Sequence, residues 1–373
     1  MLWFLLIFFS FYTLMHIYIF HTKIRPFLPE KLRKFLPLLM LILIISPVFM
    51  RYADTYASSQ MSYVVALMVL LWMGFLIYLV FFSLLWDTFK VFVKRVFLKN
   101  PSKGKDVYIL LLISLFFSIY SYLETKKLEV IHIKVETCKI PEGIKKLKIL
   151  QISDLHLGPL MGIDKINLIK EVWEKEKPDI VVSTGDLVDG NMGKRNEYAE
   201  KLKELKAPLG IYAILGNHEY YRGVKQAIEF IEKAGFTLLR NEVIDVKNIL
   251  YIVGLDDKTC KFFSACDIAF DEVKFLEKIP QDRFVLILKH QPEIKKEAIG
   301  LFDLMLSGHT HGGLYKYVGA FIMQKIYETD RGLKPLGKGS YLFVSKGVGT
   351  GGPPMRFLTP PDVAVIEILN CKK

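Results

Sequence analysis

The sequence predicts an α/β domain preceded by an α-helical transmembrane segment, and three observations carry that prediction. Apolar residues make up 52% of the 373-residue chain and are concentrated in its first third. From Leu147 onward, short compact apolar stretches alternate with helix-compatible ones. Several of those stretches run directly into short sequences rich in histidine and aspartate. The length accommodates one domain of ordinary size plus a module of roughly a hundred residues.

Four apolar runs, residues 1–20, 35–50, 61–86 and 107–123, fill the first third. A helix needs about 20 apolar residues to cross a bilayer, so the first and third are long enough, and the fourth is uncharged and near the lower limit. The second is short, contains Pro37 and Pro47 and stops at Arg51. Spanning and re-entrant readings both stay open for it. The first run lacks a basic leader and a small-residue cleavage site, so it is expected to be retained as a helix. The expected organisation is therefore a transmembrane domain over 1–123 and a second domain over 124–373, with the change in character between Glu124 and Lys146.

Charge locates the two faces of the membrane. The net charge is +12. Before Glu124 there are twelve basic residues against Glu30, Asp54, Asp87 and Asp106, so most of the excess belongs to the membrane segment and does not point to nucleic acid. Lys23, Arg25, Lys31, Arg33 and Lys34 crowd the first loop, and Lys90, Lys94, Arg95, Lys99, Lys103 and Lys105 the third, whereas the second has only Arg51. The positive-inside rule places the first and third loops in the cytoplasm and both termini outside it. Cys138, Cys260, Cys266 and Cys371 form no metal-binding spacing. Four free thiols are the primary expectation, and a Cys260–Cys266 disulfide the second.

In the second domain, residues 148–153, 180–184, 211–215, 284–288 and 304–306 read as buried strands. Helical periodicity covers 163–176, 197–205, 224–234 and 271–278. The strands lead into SDLHLG, GDLVDG, GNHEYY, KHQPE and GHTHGG. Carboxyl ends of strands converge on the crevice where open α/β sheets bind ligands, so Asp154, His156, Asp186, Asn217, His218, His290, His309 and His311 are expected in one place. Imidazole and carboxylate suit two adjacent divalent cations such as Mn, Fe or Zn, and no thiolate is involved. The alternation in DLH and HTH puts residues i and i+2 on one side of an extended segment.

These motifs, in this order from Asp154 to His311, resemble the calcineurin-like metallophosphoesterase superfamily with its DxH, GDxxD, GNH(D/E), later His and GHxH series. The GHTHGG box and the tail GVGTGGPPMRFL are similar to the membrane-associated bacterial branch that includes the phosphodiesterases YkuE and YaeI. The resemblance implies a four-layer sandwich of two mixed β-sheets flanked by helices. It implies that Asp154, His156 and His311 hold one metal, that Asn217, His290 and His309 hold the other, and that Asp186 bridges them. His218 becomes the proton donor or transition-state stabiliser, and Asp189 orients a ligand. Glu219 follows the family's acidic choice after GNH. Leu314 departs from the branch, which commonly has Gln there, and this puts substrate contact in doubt. Arg222 and Arg356 are candidate phosphate contacts, and the Gly/Pro-rich stretch 331–356 a loop over the site.

The expected activity is that of a metal-dependent phosphoric ester hydrolase using metal-activated water. Manganese is the first choice of metal, with Fe, Zn, Mg or Co as alternatives. The expected partners are the lipid bilayer and a phosphate-ester substrate. A phosphodiesterase acting on a lipid or envelope substrate is the leading reading, since tethering raises effective concentration at the membrane. The alternatives are a pyrophosphatase of UDP-2,3-diacylglucosamine at the cytoplasmic face and a non-enzymatic receptor or channel with a vestigial metal site.

Overall fold

The computed structural model describes residues 2–97 and 106–371 and divides into two compact units. Lys99, Lys103 and Lys105 of the third basic loop lie outside the described residues.

The first unit comprises residues 1–123 and 352–355. Its helices are α1 (Leu2–Ile19), α2 (Glu30–Arg33), α3 (Leu36–Tyr56), α4 (Ser59–Phe97) and α5 (Asp106–Glu124). Among the described residues four helical stretches are long and apolar enough to cross a membrane: Leu5–Phe27, Glu30–Tyr56, Ser59–Val96 and Asp106–Glu124. The doubtful second run is a continuous 21-residue helix with Pro47 inside it. Pro47 removes one backbone donor without ending the helix, as a helix packed on neighbours tolerates. Tyr12, Ile19, Phe20, Leu36, Leu76, Leu79 and Leu110 form the common core. His16 is buried within it; its Nδ1 donates to the Tyr12 carbonyl at 2.8 Å and its Nε2 accepts from Trp72 at 3.0 Å, so both ring nitrogens are engaged.

Lys23 of the first loop meets Asp87 at 2.6 Å, and Lys90 bridges Asp87 at 3.0 Å and Asp106 at 3.1 Å. These residues flank the first and third loops, so both loops emerge at one end of the helical unit.

The second unit comprises residues 124–351 and 356–373. One six-stranded sheet runs β1 (Glu129–Thr137), β12 (Asp362–Asn370), β2 (Lys146–Ile152), β3 (Ile180–Ser183), β4 (Ile211–Ala213), β5 (Thr237–Leu238). The other runs β10 (Gly332–Gly337), β11 (Ser340–Val344), β9 (Leu304–Ser307), β8 (Phe284–Leu288), β7 (Leu250–Gly254), β6 (Glu242–Val246). Both are mixed: β12 is parallel to β1 and antiparallel to β2, and β2 to β5 are mutually parallel. β7, β8, β9 and β11 are parallel between the antiparallel edge strands β6 and β10.

Ile149, Ile180, Val182, Leu286, Leu304, Leu306 and Ile366 fill the space between the sheets. The outer face of the first sheet is covered by α6 (Ile163–Glu176), α7 (Asn196–Leu202) and α9 (Val224–Lys233), the last following α8 (Asn217–Arg222). α10 (Glu272–Leu276) covers the second, and α11 (Val318–Ile326) follows β9. The result is a four-layer sandwich of two mixed sheets between helices. Because β3, β8 and β9 are buried on both faces, they read as nearly continuous apolar runs in the sequence.

Two expectations need correction. The cysteines are not free: Cys138 pairs with Cys371 and Cys260 with Cys266. Cys138 and Cys371 follow β1 and β12, whose parallel pairing brings together residues 233 apart in sequence, a contact invisible in the linear chain. The stretch 331–356 is not all loop, since it contains the β10–β11 hairpin that extends the second sheet. Beyond Val344, Gly347, Gly349 and Gly351 lie against Asp154, Leu155 and His156.

Candidate metal centre

Three of the five strand-end motifs, SDLHLG, GDLVDG and GHTHGG, contain backbone that ordinary residues avoid. Asp154, His156, Asp186, His309 and His311 all have positive φ, between 50° and 70°. This left-handed conformation is costly for residues with a Cβ and persists where the surrounding structure demands it, typically at functional sites. The loops also approach one another more closely than a side chain would permit. A Cβ on Gly216 would collide with the Asp186 carboxylate, and one on Gly308 with that of Asp154.

Seven of the eight expected residues come together as two adjoining groups. In the first, His156 Nε2 faces His311 Nε2 at 3.1 Å, and these atoms lie 3.9 and 3.5 Å from Asp154 Oδ1. In the second, His290 Nε2 lies 3.1 Å from Asn217 Oδ1, 3.2 Å from Asp186 Oδ2 and 3.2 Å from His309 Nδ1. Asp186 Oδ2 is also 3.8 Å from His156 Nε2, between the two groups. Its other oxygen accepts the backbone N–H of His218 at 2.8 Å.

Protonation states show that this arrangement suits cations. Burial lowers His156 to about 4 and pushes His309 below the ordinary range. Burial and then the Arg356 guanidinium hold His311 well below it. These rings are therefore unprotonated, the form that offers a lone pair to a metal. His290 goes the other way: burial disfavours its charge, but Asp186 overrides this and holds it well above the ordinary value. Its Nδ1 already donates to the Thr184 carbonyl at 2.9 Å, so an added proton would sit on Nε2, among Asn217 Oδ1, Asp186 Oδ2 and His309 Nδ1. The centre thus calls for positive charge where converging acceptors would hold a cation. The donor set fits two oxygen- and nitrogen-preferring divalent ions.

His218 stands at the mouth, with Nδ1 2.9 Å from Asp189 Oδ1 and its side chain 21% exposed. Burial would lower its pKa, but Asp189 and then Asp186 outweigh that and raise it to about 10. Asp189 also holds Arg222 Nε at 2.6 Å and lies 3.8 Å from His156 Nδ1. Arg222 is thus anchored at the rim of the site through Asp189.

Arg356 is not a phosphate contact. It is fully buried, and its Nη2 donates to His311 Nδ1 at 3.0 Å and to the carbonyls of Gly347 and Gly349 at 3.0 and 2.6 Å. Sequence alone could not tell that this arginine turns inward to brace a histidine. Leu314, one turn beyond His311, directs its carbonyl to the Thr359 hydroxyl at 2.9 Å.

The motif pattern leaves two structural contributors unassigned. Glu219 is completely buried; its Oε2 accepts from the N–H groups of Gly216 at 2.7 Å and Asp186 at 3.0 Å, and its Oε1 from Val188 at 2.9 Å. It ties the loop carrying Asp186 to the one carrying Asn217, and its acidity after GNH was the available signal. Tyr327 sets its ring edge-on to His309 at 5.7 Å and donates to Gln291 Oε1 at 3.0 Å. No motif marks it.

Comparison with known proteins agrees with this geometry. Residues 147–313 match the family model described as calcineurin-like phosphoesterase. A metallophosphoesterase of Aquifex aeolicus is 50% identical over 256 residues, covering 69% of this chain and 97% of its own. The Bacillus subtilis metallophosphoesterase YkuE is 27% identical over 260 residues, covering 66% and 87% respectively. A Danio rerio transmembrane protein with metallophosphoesterase domain is 29% identical over 252 residues, covering 64% and 57%. With its strand-end motifs gathered into one acceptor-lined cleft, the chain belongs to the calcineurin-like metallophosphoesterases and is a metal-dependent phosphoester hydrolase.

Proposed function

We propose that this chain is a membrane-anchored phosphodiesterase with a two-metal centre, manganese being the metal it takes first, and that it acts on a lipid or envelope substrate outside the cytoplasm. The observation that carries the reading is the pair of adjoining acceptor groups, one from Asp154, His156 and His311, all on left-handed backbone, and the other from Asn217, His290 and His309, with Asp186 between them. Two divalent cations held there supply Lewis acidity toward phosphoryl oxygens and lower the pKa of a water nucleophile.

The chain's own residues supply the rest. Asp186 presents one oxygen to both groups while the His218 N–H fixes the other. Asp189 receives His218 Nδ1, which favours the imidazolium and leaves Nε2–H to meet a leaving oxygen. The imidazolium is positioned to protonate that oxygen or to stabilise its charge. Arg222, held by Asp189, adds positive charge at the same rim.

External placement is supported by the two disulfides, which form and persist in oxidising compartments. The joint emergence of the first and third loops supports it as well, because those loops carry the basic residues. Reporters fused after Lys373 test the placement. Alkaline phosphatase activity there is the expected result. Fluorescence from a cytoplasm-only reporter would reverse it and favour a substrate such as UDP-2,3-diacylglucosamine on the inner leaflet. Hydrolysis of bis-(p-nitrophenyl) phosphate by the full chain in detergent tests the chemistry, and a rate indistinguishable from buffer would overturn it.

A further inference from the structure

α11 wears its apolar residues on the outside. Tyr317, just before it, and Phe321, Ile322 and Ile326 within it are 70, 63, 49 and 61% exposed. Spacings of four, five and nine residues from Tyr317 spread these side chains over about 180°, the outward half of the helix. The opposite face is occupied: Gly319 and Ala320 press on Gly313 next to His311, and Tyr327 reaches His309. The helix is therefore fixed to the metal-centre wall by its small residues and presents its large ones outward. Lysines accompany them, with Lys325 Nζ 4.3 Å from the Phe321 ring centroid and Lys316 Nζ 5.9 Å from that of Tyr317. The loop closed by Cys260–Cys266 carries the exposed Phe262, and the exposed Ile268 follows it. It touches the site through Phe263, Tyr221 and His218.

A short helix with exposed aromatic and aliphatic residues flanked by lysines has the composition of an interfacial membrane helix. Its rings suit the headgroup–acyl boundary, and its lysines suit anionic headgroups. The same chain carries four helices long and apolar enough to span a bilayer, so a membrane surface is at hand. We infer that α11 docks into the interface of an anionic bilayer and so brings the cleft beside His309 and His311 to membrane-borne phosphate esters. This deepens the lipid-substrate reading above and, as an account of substrate access, rests on it.

The test uses the full chain reconstituted in phosphatidylcholine vesicles with or without phosphatidylglycerol. An environment-sensitive fluorophore is attached through an unnatural amino acid at position 321 or, as a control, at exposed position 247. The expected result is blue-shifted emission at 321, quenched by nitroxide-labelled lipid, stronger with phosphatidylglycerol and weakened by Lys316→Glu with Lys325→Glu. Water-like, unquenched emission at 321 in both vesicles would overturn the inference. So would equal quenching at 247, or a shift that follows protein density rather than lipid, which would indicate a second copy on this face. A separate readout keeps the hydrolase reading distinct. Phe321→Ser with Ile322→Ser should slow hydrolysis of a lipid-anchored diester about tenfold or more, because the local substrate advantage is lost, and leave bis-(p-nitrophenyl) phosphate hydrolysis unchanged. Equal loss on both substrates would count against docking, whereas absence of hydrolysis by the parent chain would count against the hydrolase reading alone.

Discussion

Glu219 holds two of the site loops together without facing the cleft, so its replacement separates loop positioning from chemistry. Glu219→Ala removes the acceptor of three buried N–H groups, those of Asp186, Val188 and Gly216. Each buried donor left without a partner costs about 1–3 kcal/mol, giving a range of about 3–9 kcal/mol for three. Because the three share one carboxylate and water can enter the vacated space, their losses are not additive and about 4 kcal/mol is the expected total. At about 2–4 °C per kcal/mol for a domain of this size, the melting midpoint should fall by about 8–16 °C. Metal content should fall with it, since Asp186 and Asn217 lose their common support. Glu219→Gln keeps one oxygen but turns an amide NH2 toward the N–H groups, so an intermediate loss is expected. Scanning calorimetry of the full chain in detergent, together with metal analysis, makes the measurement. A Glu219→Ala midpoint within about 2 °C of the parent, with metal content unchanged, would refute the reasoning.

His218→Ala should lower turnover roughly 10²-fold while leaving metal content near normal, because general-acid assistance is worth about that much; loss of one metal would make it a ligand instead. If the imidazolium of His218 acts as proposed, activity should decline as pH rises through its raised pKa. Asp189→Asn removes the largest carboxylate influence on that ring and should move the alkaline limb down by about 1–3 pH units, whereas an unmoved limb would detach His218 from the profile. Reduction of Cys138–Cys371, which closes 233 residues, should cost about 2–4 kcal/mol, read as a lower midpoint after Cys138→Ser with Cys371→Ser; an unchanged midpoint would mean that β1–β12 pairing suffices.

The sequence is most informative where chemistry and local period coincide. α6 has the bounds its periodicity suggests, and the candidate metal-centre residues stand out because each follows a short, mostly buried strand of a parallel set. What escaped depends on contacts between distant segments. β12 returns from the end of the chain to lie between β1 and β2, a register no local pattern encodes. β10 and β11 escaped because their glycines and proline resemble a loop, although β11 is buried against β9. Arg356 was misread for a related reason: an arginine beside a glycine-rich stretch suits a phosphate, and only the fold shows its guanidinium enclosed by the Gly347 and Gly349 carbonyls and His311. The outward apolar face of α11 has helical spacing, but from sequence alone that spacing is equally that of a buried core helix.

The most direct test of the two-metal hydrolase is the metal stoichiometry of the full chain in detergent, counted by mass spectrometry beside its diester hydrolysis. The predicted result is two divalent ions per chain, with activity lost on chelation and restored by manganese. Asp186→Asn should lower the occupancy of both ions, since its carboxylate lies between the two groups. Full activity from chain carrying no divalent metal, or unchanged occupancy in Asp186→Asn, would contradict it.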